Sequence, residues 1–347
     1  MEDVTLDNPT TPAQDPPQTA SPIPCPPLPD EPLTAALARA AASRGDRAAL
    51  DFLGRTTTYA QLADQVNRAA GALVALGVQP GDRVAIALPN CSTHLVAFYA
   101  ALRIGAVVVE NNPTYSAAEL VHQLADSGAT VALLWTKAVP GVLAAQSDTS
   151  LRHVIAVDLA HDLPLMKRLA LRLPIKKARR TAEAMRGPVP AGVPLWHKVH
   201  RAAEPLPADH PEPLSSDIAL LQYTGGTTGT PKAATLSHAN LVANAVQGAA
   251  WTGHRTGTET VFGVLPFFHA FGLTLCLSYA IRIAATLVIF PSFDTALVLA
   301  AQRRRRGTFL PAVPPMLDRL VTAAESADVS LHSFTHAISG AMKLPAE

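Results

Sequence analysis

Cysteine is scarce. Cys25, Cys91 and Cys276 are the three in 347 residues. They lie too far apart for a disulfide framework or a metal-ligand spacing, which suits a reducing, cytoplasmic compartment. Aromatic residues make up 5%, too few for a stacking platform for bases. Net charge is +1, so the basic footprint of a nucleic-acid binder is missing. Charged residues are 16% and hydrophobic residues 48%, a globular and soluble balance. An unbroken membrane span is also missing. One apolar window, "AFGLTLCLSYAIRIAATLVIF" at 270–290, is nearly long enough, but Arg282 sits near its middle, where a charge is costly. Its first half suits a helix, and its β-branched end "ATLVIF" suits a buried strand. The start, "MEDVTLDNPTTPAQDPPQ", has neither the basic start nor the apolar core of a secretory signal. Residues 1–32 are expected to be a disordered or extended proline-rich lead-in.

What is present is an alternation of helical and strand patterns. "LTAALARAAASRG" reads as a helix stopped by Gly45, and "RAALDFLGRTTTYAQL" as a hairpin turning at Gly54 and Arg55. "TYAQLADQVNRAAGALVALGV" has apolar positions three and four apart, the stripe of an amphipathic helix. Then come "DRVAIALPN" (strand), 92–104 (helix), "AVVVEN" (strand), "SAAELVHQLADSGA" (helix) and "TVALLW" (strand). Ser116 with Glu119 three later is a capping box, and Gly128 ends that helix. The rhythm returns after 217 in "DIALLQYT", "SHANLVANAVQGAA", "ETVFGVLPF", "ATLVIF", "TFLPAV" and "THAISG". Alternation of this kind predicts layered α/β structure around largely parallel sheets. The division expected is 33–159 for a first α/β subdomain, 160–215 for an insertion and linker, and 216–347 for a second α/β subdomain.

Residues 160–215 break the rhythm with "MKRLALRLPIKKARR", which is basic and amphipathic. Two readings stand. The stretch 165–180 rests on an anionic membrane surface, or it is a solvated insertion whose apolar side covers the body of the protein. Pro174 interrupts any long helix there.

The chemistry concentrates in "LLQYTGGTTGTPKAATLSH", 220–238. An apolar strand runs into Gly225, Gly226 and Gly229, which allow positive φ and close backbone approach. Successive backbone N–H groups in such a loop form an anion-binding concavity. Thr224, Thr227, Thr228 and Thr230 add hydroxyls, and Lys232 adds a full charge. A structural glycine turn explains the glycines but not the hydroxyls and the lysine. The Walker A pattern G-x-x-x-x-G-K-[ST] fails. From Gly225 the second glycine falls on Thr230, from Gly226 it falls on Pro231, and Ala233 follows the lysine. Pro231 blocks entry into a helix, "AATL" is extended, and the helix waits for an N-cap at Ser237.

"YTGGTTGTPKAATLSH" resembles the phosphate-loop signature of the adenylate-forming superfamily, roughly Y-T-[SG]-G-T-T-G-x-P-K-G, with Ala233 in place of the last glycine. "TTTYAQL", "YAALRIGAVVVENNPTYSAAELVHQLADSGA", "LPFFHAFGLT" and "SGAMKLPAE" resemble further blocks in the family's order, so the resemblance covers about 33–347. The second and third of these look most like long-chain fatty acid–CoA ligases.

The resemblance implies that a fatty acid carboxylate attacks the α-phosphate of ATP, giving acyl-AMP and pyrophosphate. The thiol of coenzyme A then displaces AMP. By motif position Thr224, Gly225, Gly226, Thr227, Thr228, Gly229 and Lys232 would grip the phosphates, and Thr227 would meet Mg2+. His269 matches the histidine beside the acyl carboxylate; a packed core histidine is the alternative beside three phenylalanines. Phe271 and Gly272 would shape the acyl pocket. Ser339, Gly340 and Ala341 would touch adenine and the acyl group. No catalytic role falls to Glu110 or Asp126, which helix surfaces and caps account for.

The family's Y-G-x-T-E block, β-barrel subdomain and small C-terminal domain with its lysine do not occur in the 347 residues. The expectation is therefore the N-terminal portion of a fatty acid–CoA ligase, inactive alone, with a missing C-terminal half as partner. The rival reading is a non-catalytic nucleotide- or fatty-acid-binding module.

Overall fold

A computed structural model describes residues 26–207, 209–224 and 231–343. Their strands are β1 (Ala48–Phe52), β2 (Arg55–Thr58), β3 (Arg83–Ala87), β4 (Val107–Glu110), β5 (Val131–Trp135), β6 (His153–Val157), β7 (Ile218–Thr224), β8 (Lys232–Ser237), β9 (Thr260–Gly263), β10 (Thr286–Ile289), β11 (Phe309–Ala312) and β12 (His336–Ser339). They form two six-stranded sheets, ordered β12-β11-β9-β10-β1-β2 and β6-β5-β3-β4-β7-β8. This is the α/β class with parallel sheets that the alternation predicts.

The two sheets share one plan. Each has four consecutive strands in parallel, a fifth strand parallel to them, and a sixth that returns antiparallel at the edge. In each, the last two strands are a hairpin from the other half of the chain. β1–β2 joins β9–β12, and β7–β8 joins β3–β6. Along β3, Val84 and Ile86 enter one apolar cluster while Ala85 and Ala87 enter a second. Both faces are covered, which is why these strands read as nearly continuous apolar runs.

Local chemistry sets the helix starts. Thr58 with Gln61, Ser116 with Glu119 and Ser237 with Asn240 each close a reciprocal capping box. Gly128 ends the helix Ala117–Ser127 at φ 62. The window 270–290 is a helix over 270–282, opened to π geometry at Leu273–Ser278, then a turn and β10. Arg282 donates to Glu31 at 2.8 Å. Among the described residues no helix is long and apolar enough to cross a membrane.

Three features depart from the sequence patterns. β6 is an additional strand, built on "HVIAV". The first hairpin turns at Leu53 and Gly54, both at positive φ, and Arg55 already belongs to β2. The segment 160–215 is folded onto the body: it holds helices Leu165–Ala170, Lys176–Met185 and Trp196–Ala202, split near Pro174 as expected. Asn67 Nδ2 donates to Leu206 O, Arg68 to Ala203 O, and Trp135 Nε1 to Met185 O. A Cβ at Gly71 would lie 2.0 Å from the Glu204 carbonyl oxygen, so this docking requires glycine there.

Candidate active site

Ligands in parallel α/β sheets bind beyond the carboxyl ends of the strands. Here the carboxyl ends of the two sheets are tied to each other by buried amides. Asn90, just after β3, donates to Leu265 O at 2.7 Å and accepts from Phe267 N at 2.8 Å. Gln222, on β7, donates to Phe268 O at 2.8 Å. These two side chains hold the backbone that leads into His269. Beneath them Phe267 is fully buried and meets the His94 ring edge-on at 5.6 Å. His94 Nε2 in turn meets both Glu110 carboxylate oxygens at 3.0 and 3.1 Å, and its Nδ1 faces Leu88 O at 3.2 Å. Glu110 is therefore an interior residue, not a helix-surface or cap residue.

β7 also leads into the glycine- and threonine-rich segment. Thr224 and Lys232 face each other across the β7–β8 ladder, and both are exposed. Thr224 Oγ1 reaches Lys232 O at 3.4 Å, a long contact. Tyr223 Oη donates to Asp126 at 2.5 Å, with Gln123 O a second acceptor 3.2 Å away. Burial raises the Tyr223 pKa, and Asp126 raises it further, so the phenol stays a donor. The strand is thus anchored at the point where the loop departs. Gly225, Gly226, Thr227, Thr228 and Gly229 lie outside the described residues.

His269 is exposed, and its ring is tilted against Phe268 at 4.7 Å. Partial burial holds its pKa below the ordinary histidine value, so the ring is neutral at pH 7. Gly272 is needed by close approach: a Cβ there would stand 2.0 Å from Pro266 O. The Phe271 ring lies over Gly340, where a Cβ would meet it at 2.9 Å. Ala341 follows at φ 61. The structure therefore links Thr224 and Lys232, through Gln222, to Phe268 and His269, and links Phe271 to Gly340. Three buried polar atoms at this end of the sheets have no protein partner among the described residues, Asn111 Oδ1, Gln222 Oε1 and Ser339 Oγ. Beside them is a largely apolar cleft of about 360 Å³, lined by Asn90, Pro113, Trp135, Val264, Phe268 and Met316 among others. Phe268, rather than Phe271, faces that cleft.

Asn90, Gln222 and the His94–Glu110 pair carry no motif of their own. The only sequence signal for them is a polar residue at or just past the end of an apolar strand. Among the described residues no group of three His, Cys, Asp or Glu side chains is placed to hold a metal; Thr227, the one residue assigned to Mg2+, is not described.

A long-chain-fatty-acid–CoA ligase of Bacillus subtilis is 31% identical over 92% of this chain and 57% of its own length. One of Salmonella typhimurium is 33% identical over 69% of this chain and 43% of its own. The chain thus spans about half the length of these curated relatives. Among solved structures, a long-chain-fatty-acid-CoA ligase of Archaeoglobus fulgidus superposes with TM-score 0.76 at 24% identity, covering 93% of this chain and 60% of the other. The inhibitor-bound N-terminal domain of FACL13 from Mycobacterium tuberculosis gives 0.73 at 25%, covering 91% and 71%. The AMP-binding enzyme model matches residues 37–347. The loop signature, the two-sheet fold and these likenesses agree, and the chain belongs to the AMP-binding enzyme family.

Proposed function

We propose that this chain is the ATP- and acyl-binding portion of an ATP-dependent fatty acid–CoA ligase. The observation that supports this is the tie from β7 through Gln222 to the carbonyl of Phe268, because it fixes the strand that leads into the loop against the backbone next to His269. Carboxylate activation at a phosphate develops charge on phosphate oxygens, so fixed donors and cations aimed there supply most of the catalysis. Lys232, with Thr224 and the loop residues 225–229, would hold the phosphates of ATP. Neutral His269 would offer one N–H to the fatty acid carboxylate without neutralising the nucleophile. Phe271 and Gly272 would border the acyl chain, and Ser339, Gly340 and Ala341 the adenine and acyl groups. Mg2+ and coenzyme A belong to this reading through the family; no step is assigned to the metal, since the described residues offer it no ligand set.

The chain covers 57% of the Bacillus subtilis relative, and we expect it not to complete the reaction alone. The test is ATP binding together with fatty-acid-driven exchange of pyrophosphate into ATP. Binding that weakens tenfold or more in Lys232→Ala, with no exchange, is the expected result. Exchange by this chain would overturn the inactivity, and failure to bind ATP would overturn the reading as a whole.

Peripheral membrane contact through 165–180 forms part of the proposal. Leu165 and Met166 are 59% and 77% exposed, and Leu169, Leu173 and Ile175 are exposed as well, amid Lys167, Arg172, Lys176 and Lys177. Apolar side chains projecting from a basic face suit an anionic bilayer surface. Met166→Glu with Leu169→Glu is expected to abolish sedimentation with anionic vesicles; unchanged sedimentation, or none by the parent chain, would contradict this part.

A further inference from the structure

A second concentration of positive charge lies away from the loop. It lines a cavity of about 500 Å³ between the helix Tyr59–Ala75, the end of β6 and the folded-back segment that follows. Arg55, Arg68, Arg168 and Arg201 face it, with His161, His197 and His200. Ion pairs elsewhere in the described residues are made by Arg39, Arg103, Arg152, Arg282, Arg304 and Arg305. None of the four arginines of the cavity is among them. Arg55 donates to His161 O at 2.8 Å, Arg68 donates to Ala203 O at 3.1 Å, and Arg168 Nη1 lies 3.4 Å from His161 Nδ1. A guanidinium has five N–H donors, so these single bonds leave most of each fork unused.

Two carboxylates, Asp158 and Asp162, also border the cavity and offset part of its charge. Asp162 accepts from Thr93 N at 2.8 Å and from Thr93 Oγ1 at 2.9 Å. Asp158 accepts from Ala160 N at 2.9 Å. Two histidines stand among these charges. His161 and His197 stack at 3.5 Å. Burial first, then His161 and Arg201, bring the His197 pKa down to about 4. Burial holds His161 below its ordinary value, with Asp158 opposing that shift and Arg168 adding to it. Both rings are neutral at pH 7 and able to donate an N–H.

Four arginines against two carboxylates leave the cavity with an excess of positive charge, which a multivalent anion offsets. The planar guanidinium fork matches phosphate oxygens. The volume lies within the range of small-molecule sites. We propose that this cavity is a second anion site, separate from the loop, which takes a phosphate monoester or diphosphate. Its walls come from positions as distant as Arg55 and Arg201, so it exists only because 160–215 packs back on the helix Tyr59–Ala75.

The test uses the full chain carrying Lys232→Ala, so that failure of the loop reading and failure of this one are distinguishable. The probe is inorganic pyrophosphate at low salt, followed by calorimetry and thermal shift. The Lys232→Ala chain is expected to bind and to gain melting temperature. Adding Arg201→Gln, at an exposed position, is expected to weaken binding several-fold, and Arg68→Gln with Arg201→Gln tenfold or more, with circular dichroism reporting the fold. Sedimentation with phosphatidic acid vesicles over phosphatidylcholine vesicles, lost with Arg201→Gln, would make a lipid headgroup the source of the phosphate. Pyrophosphate binding without vesicle retention would make it a soluble ester. No pyrophosphate binding by Lys232→Ala, or binding undiminished by Arg201→Gln, overturns the proposal.

Discussion

The hairpins β1–β2 and β7–β8 occupy equivalent places in their sheets, yet one is joined by a two-residue turn and the other by the glycine- and threonine-rich segment 225–231. Each adds one parallel and one antiparallel strand at a sheet edge, each has a register shift near its first residues, and each runs into a helix through a capping box. The first turns at Leu53 and Gly54, is tied by Gly54 N to Asp51 at 2.9 Å, and lies under Lys167, which donates to Leu53 O. The second is paired up to Thr224 and Lys232, and its sequence then places glycines and threonines where the first has Leu53 and Gly54. The scaffold is thus used twice, with different sequences at the two connections. This agrees with the general placement of function on loops held by a rigid frame.

The sharpest way to break the comparison is to exchange the turns. Replacing 225–231 by Leu-Gly is expected to leave the far-ultraviolet spectrum unchanged and to reduce ATP affinity by two orders of magnitude or more, on the order of 3 kcal/mol. Retained affinity would show that this segment is not what distinguishes the hairpins.

The residues that start the two following helices differ next. His238 is fully buried, its Nδ1 accepts from Leu33 N at 3.3 Å, and burial brings its pKa down to about 4. As pH falls below the unfolded value of about 6.5, the unfolded chain takes up a proton that the folded chain refuses. Stability is therefore lost as pH drops from about 6.5 toward 4, by about 3 kcal/mol from this group. His238→Asn, which keeps an acceptor near Nδ1, is expected to flatten that part of the pH dependence in urea unfolding. Identical slopes would remove His238 from the account. Tyr59, at the equivalent place, donates to Ala285 O at 2.7 Å within the core. Tyr59→Phe is expected to cost about 1–2 kcal/mol with no dependence on pH between 4 and 7. The smallest difference concerns the caps: Thr58→Ala and Ser237→Ala should each cost about 1 kcal/mol and match closely, since the two boxes have the same form.

What could be read from the sequence was what is local. Capping at Ser116 and Ser237, the stop at Gly128 and the strands around the loop follow from neighbouring residues. The helix–turn–strand reading of 270–290 held for the same reason, with Arg282 finding Glu31. Pairing between distant segments could not be read. Nothing in "RTTT" or "KAATLS" says that each hairpin completes the sheet of the other half. Asn90 and Gln222 work through carbonyls at Leu265 and Phe268, and their partners become visible only in three dimensions. Glu110 closes a strand as any surface acid does; His94, on the helix before it, is what draws it inside. The charges in 160–215 looked like one basic face, but the fold divides them between solvent and the cavity at Arg168 and Arg201.

The account turns on Lys232 and the β7–β8 connection as the proposed grip for phosphate. Calorimetric titration of ATP into this chain and its Lys232→Ala variant, both carrying Arg68→Gln and Arg201→Gln to weaken the cavity, tests it most directly. The account expects binding that falls tenfold or more with the lysine removed, at an unchanged melting temperature. Equal affinity in the two proteins would contradict it.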